Sequence, residues 1–594
     1  MFVMEPPPGS ETPAEATAVV SRIPAVTFAS LTFSDGTTVT LDPRDIVVFV
    51  GPNNAGKSVA LRELEQYLVT ARPAKVISGV ELLKEGDVDD LRAFLEKHGQ
   101  QKGDRYEGFR FNVRRHDLAN QWGANVGPLK SLFCTRLPTE TRIIDSNQQA
   151  LVPLLDQPPQ HPIHILYGDE NIAQRIGSYF RRAFGEDLVV FYLGGSQVPL
   201  LTGRAPTPKP GEDRVSHGFN QRLRASTIPL DQQGDGMRSF ATVILHMLAP
   251  GTQSILLLDE PEAFLHPPQA RLLGEFIATE GPTHAQLFVA THSADVLQGL
   301  LNVASEHLRV LRIQRVGSVN RVKELDKMRA KAIGGDPLMK FTSVMSGVFH
   351  SRVIVCEADA DCMLFSAILD LPTVRGEQHP DVLFVQTGGK SRMSAVVEAL
   401  RALDVIVDVV VDIDILREEA ILERVVTALG GEWSSVETHA RSLKTAIEHH
   451  KPWLTAGEVA KGIQEIVSRA PTDGEFPKKL RSEINALFKK ASPWDVIKDA
   501  GRAGIPAGEA TIHYRELERL CRAVGLWIIP VGELEGFCKS EGGHGPTWVQ
   551  NVLERHDLAN DVELEQARDF VRRVWTSRPS VNVTAGDTHD AGVG

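Results

Sequence analysis

The sequence predicts an α/β protein built on two parallel sheets, the second interrupted by a helical insertion. Three observations carry that reading. An apolar run from Ile46 to Val50 leads straight into Gly51-Pro-Asn-Asn-Ala-Gly-Lys-Ser58 and then a helical pattern. A second apolar run, Ile255 to Leu258, ends in Asp259-Glu260. A β-α-β-α-β order from Ser351 to Asp414 places acids after the first and third of its strands. Strands alternating with helices need crossover connections, and these give parallel sheets whose carboxyl ends share one edge.

At 594 residues the chain exceeds a single hydrophobic core, so two or three domains are expected. Its 42% hydrophobic and 24% charged content is that of an ordinary globular protein. No apolar run approaches the roughly 20 residues needed to cross a bilayer. The acidic, Pro-rich MFVMEPPPGSETPAEA has no secretion-signal core. Residues 1–25 therefore read as a disordered leader, and the chain as cytoplasmic with no membrane partner. The five cysteines (Cys134, Cys356, Cys362, Cys521, Cys538) include no C-x-x-C pair, which argues against a zinc site or a disulfide framework. A net charge of −12 argues against a protein that coats DNA everywhere, while leaving room for a local basic groove.

Taken in order, residues 26–50 read as three strands with a hairpin turn at Ser34-Asp35-Gly36. The segment that follows matches the phosphate-binding pattern G-x-x-x-x-G-K-[ST]. Gly51 and Gly56 let the backbone curl, so that the N–H groups of the loop through Asn53, Asn54 and Ala55 point at a polyanion. Lys57 reaches the β- and γ-phosphates of a nucleotide, and the Ser58 hydroxyl ligates Mg²⁺. The positive end of the next helix faces the same phosphates.

Residues 75–230 form a long inserted arm region, with loops at the Pro-dense stretches Pro153–Pro162 and Pro206–Pro210. Arg114, Arg115, Arg181 and Arg182 read there as a solvated face or, second to that, as a nucleic-acid contact. Gly234-Asp235-Gly236 then makes a turn into an apolar helix, whose first amides can serve a phosphate. Beyond it, Asp259 can hold Mg²⁺ through water, and Glu260 can orient or deprotonate an attacking water. A further apolar strand ends in Thr291-His292-Ser293, placing His292 to sense the γ-phosphate.

Residues 311–350 read as a connector with a basic stretch, KMRAKA. The strand from Ser351 then ends at Glu357, with Asp361 close behind; a second ends in Gly388-Gly389-Lys390; a third ends with Asp412 and Asp414. Two apart on one strand, Asp412 and Asp414 would share a face, and Glu357 and Asp361 would converge on them from the start of a neighbouring helix. Carboxylates and water suit Mg²⁺ or Mn²⁺, and nothing in this set is soft enough for zinc. Two such cations would clamp the attacking and leaving oxygens of a phosphodiester. Residues 416–515 read as the helical insertion, where Leu480, Ile484, Leu487 and Phe488 make an apolar stripe. Lys478, Lys479, Lys489 and Lys490 fall on the other side, either solvated or against DNA. Residues 579–594 read as a flexible tail.

The P-loop, the GDG turn, LLLDEPEAFLHP and THS, in that order, resemble ATPase heads of the ABC/SMC/RecF type over residues 26–310. That resemblance implies ATP as cofactor with Mg²⁺ at Ser58 and Asp259, Glu260 as catalytic base and His292 as the switch histidine. It also implies a homo-oligomer, at least a dimer of heads, in which the turn with Gly234 and Gly236 meets the partner's γ-phosphate. The family's Ser-Gly-Gly is here Gly-Asp-Gly, so the signature hydroxyl is missing and slow turnover is implied.

Within an expected domain at residues 351–578, about 350–415 and 520–575 resemble the Toprim fold, and the whole chain resembles an OLD-family ATP-dependent nuclease: an ABC-type P-loop ATPase domain followed by a Toprim domain. CEADAD matches the pattern V-E-G-x-x-[DE] through Glu357 and Asp361, with Ala358 in the place of glycine. Asp412 and Asp414 match the D-x-D pair, and Glu535, or else Glu533, matches the last acid. Lys390 and Lys539 are the candidates for the catalytic lysine. The resemblance implies Mg²⁺ or Mn²⁺ on Glu357, Asp361, Asp412, Asp414 and Glu535. It further implies DNA as substrate, a role in anti-phage defence and an accessory defence protein. The other reading is an ATPase scaffold or sensor that oligomerises and binds or releases an effector partner, its Toprim half catalytically degenerate.

Overall fold

The computed structural model describes residues 23–577, apart from 109–110, 124–125, 250–252, 282–284, 304, 326–342, 378, 450–453, 472 and 474. The expected leader up to residue 22, the KMRAKA stretch at 327–332 and the tail at 579–594 lie outside the described residues. The chain divides into two compact units interleaved in sequence. One holds Met1–Ile46, Ser58–Gln269 and Thr279–Val289; the other holds Val47–Lys57, Ala270–Ala278 and Ala290–Gly594.

In the first unit, strand Ala25–Phe33 pairs antiparallel with both Thr38–Thr40 and Ile77–Glu85. The expected turn is there, with Gly36 at φ 85. Strands Gln286–Ala290, Ile255–Asp259 and Cys134–Leu137 lie side by side in that order, the last two parallel. Helix Asp235–Leu248 is buried without interruption from Ser239 to Leu248, as an all-round apolar sequence requires. Among the inserted segments, Arg114, Arg115, Arg181 and Arg182 are exposed.

In the second unit, Val319–Glu324, Leu308–Val316 and Ile46–Val50 neighbour one another in that order, the first two as an antiparallel hairpin. Further along the chain comes a four-stranded sheet, wholly parallel, in the order Val382–Gln386, Arg352–Cys356, Ile406–Val411, Leu526–Ile528. Helices Asp359–Leu369 and Met393–Ala402 supply its first two crossovers. Near its opposite end Arg352 and Asp408, both buried, pair at 2.6 Å. Asp408 also accepts the Trp527 indole N–H at 3.0 Å, and Arg352 donates to the carbonyls of Val574 and Trp575. Removing one member of such a buried pair costs about 3–5 kcal/mol, so this contact pins the register of the sheet.

Two local expectations are corrected. The third strand stops at Val411, and Ile413–Arg417 is a 3₁₀ turn. Asp412 and Asp414 are therefore not on one strand. The Ile413 N–H donates to the Gly532 carbonyl at 2.9 Å and draws the chain out of extended geometry. In helix Lys478–Ala491, Leu480 is buried but Phe488 is 53% exposed. Leu480, Ile484 and Leu487 form an i, i+4, i+7 row, and Phe488, about 100° further round, falls off its flank. Lys478 and Lys479 are exposed, while the side chains at 489 and 490 lie outside the described residues. All five cysteines are free. Among the described residues no helix is long and apolar enough to cross a membrane.

Candidate functional site

The strand Ile46–Val50 is buried at every position, and the chain turns sharply at its end. Gly51 has φ 138, and a Cβ there would lie 2.0 Å from the Ile313 carbonyl oxygen, so no other residue fits. Asn54 at φ 60 and Gly56 at φ 100 continue the curl that turns successive amides inward. Asn53 and Asn54 are exposed at the rim, whereas Ala55 is buried and its carbonyl accepts from the Asn320 amide at 2.6 Å. Lys57 is buried, and its ammonium donates to the carbonyls of Gly51 at 2.6 Å and Pro52 at 2.8 Å. Ser58 is the second residue of helix Lys57–Thr70. The Thr291 N–H donates to the Phe49 carbonyl at 3.3 Å, which sets the exposed His292 just past the end of the P-loop strand.

In the first unit, Asp259 closes the strand Ile255–Asp259, and its Oδ1 is buried without a hydrogen-bond partner. That is the state of an acceptor shaped for a cation or its water. Glu260 follows at φ 47, a conformation that L residues rarely adopt. Arg142, fully buried, donates to the carbonyls of Asp259 at 2.6 Å and Glu260 at 2.7 Å, and to the Ser239 hydroxyl at 3.0 Å. Burial pushes its guanidinium down to about 10, opposed by Glu262, Asp259 and Glu260. Nothing in TETRIID marks this arginine in the sequence. Gly236 packs so close that a Cβ would sit 2.6 Å from the Phe264 carbonyl, while Gly234 and Asp235 are exposed at the head of their helix.

The parallel sheet of the second unit sets Glu357, Lys390, Asp412 and Glu533 beyond the carboxyl ends of four adjacent strands. Lys390, with its side chain 9% exposed, pairs with Asp414, and its Nζ stands 3.8 Å from Glu357 Oε2 and 3.9 Å from Glu418. Glu357 Oε2 is buried and accepts no hydrogen bond. Asp361 accepts the Ala358 N–H at 2.9 Å, so it closes the start of helix Asp359–Leu369 as well as facing the acids. Ala358 has φ −131, extended backbone open to any residue, so the missing glycine costs no strain.

The electrostatics of this edge are those of crowded carboxylates. Burial, then Glu357, Asp361 and Asp414, raise Asp412 to about 8 against the pull of Lys390. Burial and the charge of Glu535 raise Asp361 to about 6, although a backbone N–H opposes them. Burial also raises Glu357, despite Lys390. Mutual repulsion in a dry site, with a buried acceptor left open, fits these oxygens to a hard divalent cation.

Sequence reasoning overlooked one member of this edge. Lys498, on helix Pro493–Ala500 of the insertion, stands 3.6 Å from Asp414 and 3.3 Å from Glu533. Burial works against its charge, but Asp414, Glu533 and Asp412 hold its pKa above the ordinary value. Gly532, at φ 104, lets the two segments meet, since a Cβ there would lie 2.0 Å from the Lys498 carbonyl oxygen. Lys539 is exposed and donates to the Asp499 carbonyl. Glu535 accepts the Gly545 N–H at 2.8 Å, so of the two late acids Glu533 meets Lys498 and Glu535 faces Asp361.

The curl from Gly51 to Gly56 after a fully buried strand is the phosphate-binding element of an α/β P-loop fold. Residues 46–297 match the family model described as "AAA domain, putative AbiEii toxin, Type IV TA system". Among solved structures it is similar to the SMC head bound to the C-winged helix domain of ScpA, at 12% identity over 51% of this chain and 98% of that one, TM-score 0.32. The SMC head domain from Thermotoga maritima aligns at 12% identity over 51% and 99%, TM-score 0.27. The ADP conformation of an ATP-binding cassette of an ABC transporter aligns at 11% over 53% and 95%, TM-score 0.25. No curated protein matches the sequence.

Proposed function

We propose that the chain is an ATP-regulated, divalent-metal-dependent DNA endonuclease of the OLD type, acting in anti-phage defence as a homo-oligomer of ATPase heads. The observation that carries the nuclease half is the meeting of Glu357, Asp361, Asp412 and Asp414 at one sheet edge, with Asp412 held at about 8 by burial and its acidic neighbours. Carboxylates this crowded are costly unless a cation offsets them. In this reading the four acids are the ligands of a Toprim centre, and Glu535 supports it through Asp361. Mg²⁺ or Mn²⁺ bound there would polarise a phosphodiester and acidify a water.

The chain's own residues supply the rest. Lys390 orients the Asp414 carboxylate and shields its charge from Glu357. Lys498 bridges Asp414 and Glu533 and is the more exposed of the two ammoniums, at 39% against 9%, which suits it to meet a substrate phosphate. In the ATPase half, Lys57 and Ser58 would serve the nucleotide and Mg²⁺, Asp259 the same cation, Glu260 the attacking water and His292 the γ-phosphate. Arg142 holds the Asp259-Glu260 backbone in place. The exposed Gly234-Asp235 turn is the surface that a partner head would meet, with a carboxylate where the resembling family has a hydroxyl. DNA and the defence role rest on the resemblance of motifs alone.

The test is incubation of the purified chain with plasmid in Mg²⁺ or Mn²⁺, with and without ATP. Nicking or linearisation is expected, falling on the order of 10³-fold in Asp412→Ala plus Asp414→Ala protein. Cleavage unchanged in that double variant would remove the nuclease assignment and leave the ATPase.

A further inference from the structure

A chemically different donor set gathers further along the second unit, in residues that neither the ATPase nor the acidic edge uses. Cys538, fully buried, follows the 3₁₀ turn Leu534–Phe537. His556 closes helix Gly545–Arg555, and Glu563 precedes helix Glu565–Thr576. One donor atom from each of the three lies within 4.8 Å of the other two.

The separations are specific. Cys538 Sγ is 3.6 Å from His556 Nε2 and 3.6 Å from Glu563 Oε2. A tetrahedral zinc with Zn–S of about 2.3 Å and Zn–N and Zn–O of about 2.1 Å has S···N and S···O edges of about 3.6 Å. The two edges that meet at the sulfur thus have the lengths that such an ion would demand.

The imidazole is oriented for the same purpose. Asp561 Oδ2 lies 2.6 Å from His556 Nδ1 and fixes the ring with Nε2 turned towards the sulfur. Glu563 is held by the Ser540 N–H at 2.9 Å and the Ser540 hydroxyl at 2.6 Å. Glu541 Oε1 stands 3.4 Å from His556 Nε2 and borders the fourth position, while its other oxygen pairs with Arg555 at 3.1 Å.

We propose that Cys538, His556 and Glu563 hold a zinc ion. The thiolate selects a borderline-soft metal over Mg²⁺ or Mn²⁺, so this centre and the oxygen-only edge take different ions from the same solution. Its role is structural. It ties the segment after Glu533 and Glu535 to the ends of two helices that pack in the core of this unit, through Trp548 and Phe570. The proposal does not depend on the nuclease reading.

The experiment uses the full chain, purified without chelator from zinc-supplemented medium. Elemental analysis should return about one zinc per chain. Replacement by Co²⁺ should give a near-ultraviolet thiolate-to-cobalt band that excess Mg²⁺ does not displace. Cys538→Ser should abolish the band, and Glu563→Gln should shift it and weaken cobalt binding about 10-fold or more. Lys539→Ala, next in sequence but outside the donor set, should leave it intact. Should Cys538→Ser not fold, the cobalt spectrum of the unmutated chain decides by itself. Zinc-free protein that develops no thiolate band on cobalt titration overturns the proposal, as does a band that survives Cys538→Ser.

Discussion

The P-loop and the acidic sheet edge both gather groups suited to phosphate chemistry, and they differ in what their own neighbours satisfy. The P-loop works with backbone amides and one ammonium. Lys57 finds the Gly51 and Pro52 carbonyls at 2.6 and 2.8 Å, and steric demand at Gly51 holds the curl. At the acidic edge the like charges lie close, Glu357 Oε2 accepts no hydrogen bond, and Asp412 is pushed up to about 8. A loop of dipoles is stable before its anion arrives, whereas a cluster of carboxylates stores repulsion that a cation relieves. The first arrangement suits an incoming negative charge and the second an incoming positive one.

Separating the two tasks by mutation sharpens that contrast. Lys57→Ala should weaken ATP binding about 100-fold, read by titration with a fluorescent nucleotide, with Mn²⁺ binding to the acidic edge unchanged. Retained tight ATP binding would contradict the P-loop assignment. Lys498→Ala should lower plasmid cleavage about 10- to 100-fold, and Lys539→Ala should leave it alone. The reverse order would move the functional ammonium to Lys539.

The smallest effect is a pH dependence. Asp412 has its folded-state pKa raised to about 8 from an ordinary 3.8, so between those values the metal-free folded chain holds a proton that the unfolded chain has lost. The group's contribution to stability is therefore present at low pH and falls as pH rises towards about 8. In chelator, Asp412→Asn should melt above the unsubstituted chain, by a margin that widens from about pH 5 to pH 8 and closes when Mn²⁺ is added. A margin independent of pH would mean that Asp412 is not the strained member of the cluster.

How much was legible in the chain varies with the distance over which residues cooperate. The strand–P-loop–helix unit, the Asp259-Glu260 strand end and the β-α-β-α-β order are local patterns, and the structure contains each of them. The period of two puts Asp412 and Asp414 on one strand. The strand stops at Val411 because the Gly532 carbonyl, over a hundred residues away in sequence, captures the Ile413 N–H. Helical spacing likewise adds Phe488 to the apolar stripe, but that side chain is exposed.

By itself the sequence determined the curled glycine loop and the acids at the strand ends, because periodicity, glycine spacing and apolar runs act within a few residues. Tertiary structure alone decided that Arg142 would grip the Asp259-Glu260 turn and that Lys498 would come from the insertion to the acidic edge. It also decided that Cys538, His556 and Glu563 would face one another without any C-x-x-C spacing. Those groupings depend on which distant segments pack together, and a donor set assembled by packing leaves no period in the chain.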